Sequence, residues 1–220
     1  MQDSTAQHIR IDVWFDLICP WCWIGKRHLK DALASFNERH PDVGVAVHWH
    51  SVQLIPDVPP QGWPYKLFYE HRLGGSEAVR ARQEQVQQAA TRAGLRIHYD
   101  SLSVFPNTWQ AHRLFCLAKQ QLQPNQLDAL LDDLFKAYFQ DGCNLGDVIA
   151  LNTLAKAHGL DLSHIEELET PATWTLPANQ SGVPFFIFDQ THALSGAQQP
   201  EALTSAMEAR MSLPSENALP

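Results

Sequence analysis

The sequence predicts an α/β fold whose strand-bearing parts are separated by an all-helical insertion. Three observations carry this. Strand-like, helix-like and strand-like runs succeed one another over residues 8–54. Amphipathic helical stripes then occupy residues 76–159. Strand character returns only at residues 182–195, before one last helical stripe. The order is βαβ, a block of helices, then ββα.

Each element has its own warrant. In "HIRIDVWFD", residues 8–16, Ile9, Ile11, Val13 and Phe15 share one face, as a buried strand requires. Ile24, His28, Leu29, Ala32, Leu33 and Phe36 follow helical spacing, and that helix should stop before Pro41. Val43, Val45, Val47 and Trp49 alternate in a second strand. A Pro-rich passage, "IPDVPPQGWP", breaks the pattern. Beyond it, "SEAVRARQEQVQQAATRAG" reads as a polar helix stopped at Gly94. Residues 108–122 place Ala111, Leu114, Phe115, Ala118 and Leu122 on one stripe. Leu127, Leu130, Leu131, Leu134, Phe135 and Tyr138 form a cleaner one. "GDVIALNTLAKAHG" adds another helix, closed by Gly159. "GVPFFIF" and "HALSG", joined at Asp189-Gln190-Thr191, read as a hairpin. Ala202, Leu203, Ala206, Met207 and Met211 mark the last helix, and "LPSENALP" reads as a loose tail.

Composition excludes several classes. The hydrophobic content of 45% argues against disorder, and no apolar stretch is long enough to span a bilayer. The net charge is −8 with no basic cluster, so neither nucleic acid nor membrane is expected as a partner. Four cysteines, Cys19, Cys22, Cys116 and Cys143, are too few for a disulfide scaffold. The start "MQDSTAQHIRID" has no apolar signal core, so a reducing cytoplasmic setting is expected.

The chemistry-bearing stretch is Cys19-Pro20-Trp21-Cys22, at the junction of the first strand and first helix. The first helical turn has unpaired N–H groups and a positive dipole end, which favour thiolate over thiol. Pro20 suits the first helical position. Cys19 then falls at the cap, where the preceding loop leaves it exposed, and Cys22 lies one turn in. This arrangement lowers a cysteine pKa in Cys-X-X-Cys enzymes. Zinc is the weaker reading, because a second close ligand pair is missing. So are inert core thiols, because Pro-Trp at a helix start serves packing poorly. Trp21 belongs to the dipeptide that tunes the redox potential. That dipeptide lacks a histidine, so Cys19 is expected to be less acidified than in strongly oxidising enzymes.

Gly182-Val183-Pro184 opens the later strand, where a proline marks an edge or special bend. A βαβ unit bearing Cys-X-X-Cys, combined with a cis-proline loop facing it, is the thioredoxin fold.

"FDLICPWCWIGKRHL", "FPNTWQAHRL", "LFKAYFQDG" and "SGVPFFIFDQTHALSGAQ" together resemble the FrnE-like branch of the DsbA family of thiol–disulfide oxidoreductases. The likeness runs from about residue 9 to about residue 210. It implies a thioredoxin-like core in two parts, residues 1–60 and 161–220, around a helical insertion at 61–160. It implies that Cys19 attacks, Cys22 resolves and Pro184 is cis, with Trp21, Val183 and Pro184 against the substrate. The implied partners are thiol and disulfide substrates, protein or glutathione-like, with no metal or organic cofactor and a monomer or homodimer. The segment "ETPATWTLPANQS" departs from the helix and "GVTGVP" usual in relatives, and the further C-terminal cysteines of some relatives are absent. The superfamily also holds kappa-class glutathione transferases and 2-hydroxychromene-2-carboxylate isomerases, which typically carry serine at the position of Cys19.

Other polar residues receive structural readings. His48 and His50 share one strand face and read as solvent-facing rather than metal-binding. His112 reads as a hydrogen-bonded core histidine. Asn107-Thr108 reads as a helix N-cap. Asp16 reads as a turn or capping residue, ahead of a proton relay to Cys22. Cys116 reads as a core thiol and Cys143 as exposed and oxidisable.

Overall fold

The computed structural model describes residues 8–162 and 175–211. Strand β1, His8–Phe15, buries Ile9, Ile11, Val13 and Phe15, as the alternation predicts. Helix α1 spans Pro20–Arg39 and ends just ahead of Pro41, which cannot continue it. Strand β2, Gly44–Ser51, runs parallel to β1 with Ile11 opposite Val47.

The Pro-rich passage hides elements that the sequence reading leaves unassigned. Strand β3, Trp63–Pro64, leads into helix α2, Tyr65–Leu73, which Gly74 terminates in the left-handed conformation (φ 88°). Strand β4, Val104–Phe105, pairs antiparallel with β3. Their periodicity is too short to register, and packing decides them: Phe68 stacks on Phe105 at 3.9 Å and on Trp63 at 5.5 Å.

The remaining helices fall where the stripes predict. They are α3 Ser76–Arg92, α4 Trp109–Gln121, α5 Pro124–Phe139 and α6 Val148–Ala157. Strands β5, Phe185–Phe188, and β6, His192–Ser195, form the hairpin. Its turn residues Asp189 and Gln190 both have positive φ, which suits the twist of the strands. Helix α7, Pro200–Met211, follows.

The main sheet has the order β2-β1-β5-β6, with β5 antiparallel to β1. Helices α1 and α7 pack together, and α7 contacts β1 and β5. This is a thioredoxin-like core, with α2 to α6 inserted between β2 and β5. Phe15, at the end of β1, joins the two regions by meeting Phe115 of α4 and Phe135 of α5 edge-on. The tail "LPSENALP" and residues 169–174 of the departing Pro-rich segment lie outside the described residues. Among the described residues, no helix is long and apolar enough to cross a membrane.

Candidate active site

The end of β1 turns sharply so that the Cys19 N–H donates to the Asp16 carbonyl at 3.1 Å. Cys19 is the N-cap of α1, with Pro20 behind it, and its carbonyl accepts the Cys22 N–H at 3.0 Å. This places Cys19 at the positive end of the helix dipole. Cys19 and Cys22 are not joined in a disulfide.

The two thiols differ in setting, though less in exposure than the sequence reading expects. Cys22 is 1% exposed, and Cys19 is also buried, at 8%. The expected open position of Cys19 is therefore corrected. The loop before β5 closes over it, and the Cys19 thiol donates to the Val183 carbonyl at 3.6 Å. Burial pushes the Cys22 thiol well above its ordinary value. Hydrogen bonding to Cys19 and charge on Cys19 add to this; the Asp16 backbone amide opposes it, and the Asp16 carboxylate charge adds to it.

The Val183–Pro184 peptide bond is cis. Two contacts hold the loop. The Gly196 N–H donates to the Pro184 carbonyl at 2.8 Å, from a backbone with φ 81° that only glycine adopts easily. Gly25 of α1 lies directly beneath the proline ring: a Cβ there would meet Pro184 Cγ at 2.8 Å. The "SGAQ" stretch is tied to α1 by His28, whose Nδ1–H donates to the Gln198 carbonyl at 2.7 Å. Trp23 is buried and stacks on Phe139 at 5.8 Å, whereas Trp21 stays half-buried.

Asp16 and His112 form a pair that no sequence spacing reveals, since 96 residues separate them. Both are 0% exposed, and His112 Nε2 lies 3.1 Å from Asp16 Oδ1. Asp16 Oδ2 accepts the Leu54 N–H at 2.8 Å. The carboxylate therefore anchors the β2-to-α2 connection and α4 to the turn that carries Cys19. Tyr65 and Tyr69 of α2, with Tyr99, line a cleft beside Pro20. Burial pushes the Tyr65 phenol up to about 12. The sequence reading misses these tyrosines because it assigns no element there; Gly74 after a run of helix formers is the overlooked signal.

Other assignments change or hold. His48 is solvent-exposed as expected, but His50 is engaged: its Nε2 lies 2.6 Å from Asp12 Oδ1, and its ring stacks on Trp14 at 4.5 Å. Burial pushes Asp12 up, but hydrogen bonds from Arg10 and His50 outweigh it, and the carboxyl sits below its ordinary value. The Asn107 side chain accepts the Trp109 N–H at 2.8 Å, while Thr108 occupies the cap position without a side-chain cap bond. Cys116 is half-buried rather than a core thiol, because it lies off the apolar stripe of α4. Cys143 is half-buried too; burial and then the charges of Asp141 and Asp147 push its thiol up. Among the described residues, no group of three or more His, Cys, Asp or Glu is placed to hold a metal.

Fold and site define a class: a thioredoxin-like domain presenting a dithiol opposite a cis-proline loop. The chain belongs to the DSBA-like thioredoxin domain family, whose model matches residues 10–173. The uncharacterized protein YwbO of Bacillus subtilis strain 168 is 29% identical over 153 residues, 70% of this chain and 68% of that one. A probable DsbA oxidoreductase from Streptomyces coelicolor is 29% identical, with TM-score 0.81, covering 97% of this chain and 94% of that one. The cytosolic disulfide reductase DsbM from Pseudomonas aeruginosa, solved with GSH, shares the fold at 15% identity and TM-score 0.56, covering 93% and 100%.

Proposed function

We propose that this protein is a thiol–disulfide oxidoreductase of the FrnE-like branch, working through Cys19 and Cys22. The thiolate of Cys19 attacks one sulfur of a substrate disulfide. A Cys19–substrate mixed disulfide forms, and the other substrate sulfur leaves as thiolate. The Cys22 proton passes to the released substrate thiolate, and the Cys22 thiolate so formed attacks the Cys19 sulfur. The protein disulfide closes and the second substrate thiolate departs. The substrate gains two electrons, the protein loses two, and the reverse sequence oxidises a dithiol.

The observation that carries this reading is the asymmetry at the head of α1. Cys19 caps the helix 3.6 Å from the Val183 carbonyl, while Cys22 is buried beneath it with its proton held by burial. The backbone at Val183 offers an extended substrate a strand edge, with Trp21 alongside. Glutathione mixed disulfides belong to the substrate class, as the GSH-bound Pseudomonas relative of the same fold supports. The compartment that suits the reading is the reducing cytosol.

The test separates the two cysteines. Cys19→Ser should abolish reduction of a disulfide substrate. Cys22→Ser should attack but not resolve, so mixed disulfides accumulate and are seen by intact-protein mass. If Cys19→Ser retains turnover, or Cys22→Ser traps nothing, the assigned roles fail. Turnover of a small electrophile with glutathione that survives Cys22→Ser would instead place the protein with the glutathione-dependent transferases and isomerases.

A further inference from the structure

A cleft of about 820 Å³ lies along the outer edge of β2, walled by α1 on one side and the α4–α5 turn on the other. Its apolar surface comes from Leu33, Val45, Val47, Leu122 and Leu127, all only partly buried. The residues of the cysteine pair, and Pro184 opposite them, are not in its lining. Its volume falls within the range of small-molecule sites, about 300–1,000 Å³.

The charges around it run against the rest of the protein. The chain carries −8 overall and only six lysines, yet Lys26, Lys30 and Lys119 all line this cleft. The one carboxylate in the lining is Asp128, which pairs with Lys26 at 2.7 Å. Asp132, outside the lining, shares that ammonium at 2.9 Å. Lys26 is thereby fully engaged and that corner keeps one net negative charge, so Lys30 and Lys119, on the other lining positions, are the cations available to a ligand. Lys119 donates to the Trp49 carbonyl at 2.9 Å, so one of its three N–H groups closes the β2 edge and two remain. Lys30 is exposed at the rim. His48 also lines the cleft, where partial burial and then the Arg10 charge hold its imidazole below the ordinary value.

We infer that this cleft binds a small amphipathic organic anion, with its apolar body on the Val45–Val47 and Leu122–Leu127 surfaces and its anionic head at Lys30 and Lys119. Charge complementarity selects this occupant. An uncharged apolar ligand has no use for the two ammonium groups, and a cation is repelled by them. A peptide strand added to β2 is opposed by the Lys119 ammonium already seated on the Trp49 carbonyl.

The experiment titrates the intact reduced protein by calorimetry with decanoate, decan-1-ol and decyltrimethylammonium, each below its micellar range. Decanoate should bind saturably at one site and tighter than either probe of equal chain length. Lys30→Glu reverses a charge at an exposed position and should weaken decanoate by about tenfold or more while leaving decan-1-ol unchanged. Val45→Trp, at a part-buried lining position on the same strand face as Val47, should fill the cleft and weaken both. Thermal melts check that both variants fold, and either variant alone suffices for the decision. Three results overturn the inference: no saturable decanoate binding, equal affinity for the cationic probe, or decanoate binding that neither folded variant alters.

Discussion

Gly25 and Pro184 meet so closely that no side chain fits between them: a Cβ on Gly25 would stand 2.8 Å from Pro184 Cγ and 3.4 Å from the Phe186 ring. The proline cannot swing away, because its carbonyl is bonded to the Gly196 N–H. The spacing between α1 and the loop facing Cys19 is therefore set by the absence of one methyl group.

Gly25→Ala should push the Val183–Pro184 loop off Cys19. The overpacking should cost about 1–3 kcal/mol in denaturant unfolding and lower turnover on a disulfide substrate. Unchanged stability together with unchanged turnover would refute the tight contact.

The pH dependence of stability should differ between the redox states. The unfolded chain releases the Cys22 proton near the ordinary thiol value of 9.0, while burial makes the folded chain retain it. The retained proton favours the folded state, so this contribution is intact below 9.0 and is lost as pH rises toward the folded value. From about pH 8 to about pH 10, below the ordinary range of the buried tyrosines, reduced protein should lose stability relative to oxidised protein. Cys22→Ala, which cannot form the disulfide, should show in its reduced form the flatter pH curve of the oxidised parent. Parallel curves for the two redox states would contradict a buried, protonated Cys22.

The Asp16–His112 pair should behave as one unit. Asp16→Ala strips the partner from the part-buried Leu54 N–H and from the fully buried His112 Nε2. A loss of about 3 kcal/mol is expected, with His112→Ala somewhat milder. In a double-mutant cycle the two should couple by about 1 kcal/mol or more. Simple additivity would mean that the 3.1 Å contact carries no energy.

Lys26 offers a test of asymmetry. Its side chain is 2% exposed, while those of Asp128 and Asp132 are 39% and 28% exposed. Removing both acids strands a buried cation and should cost about 3–5 kcal/mol. Lys26→Met leaves carboxylates that water can reach and should cost about 1 kcal/mol or less. The reverse order, read from denaturant midpoints at constant slope, would show that the ammonium hydrates freely.

Much of the fold was legible in the sequence because its long elements bury one face. The β1 alternation and the stripes of α4 and α5 repeat over enough residues for periodicity to outweigh local composition. The two-residue strands β3 and β4 and the short helix α2 were not legible. Stacking among Trp63, Phe68 and Phe105 decides them, and that information is spread over more than forty positions. His50 shows the same limit: its side of the strand follows from alternation, but its attachment to Asp12 requires the register of β1 against β2.

The sequence by itself determined the dithiol, its position at a strand-to-helix junction and the proline bend at residue 184, because each is written in contiguous residues with a local cause. Only the tertiary structure decided what surrounds them. It brought Val183 to Cys19 across 164 positions, set Asp16 against His112 and left Gly25 as the spacer under Pro184. It also buried Cys19, which local reasoning had left open. The physical reason is that burial, dielectric and hydrogen-bond partners belong to neighbours in space, and chain order names only neighbours in sequence.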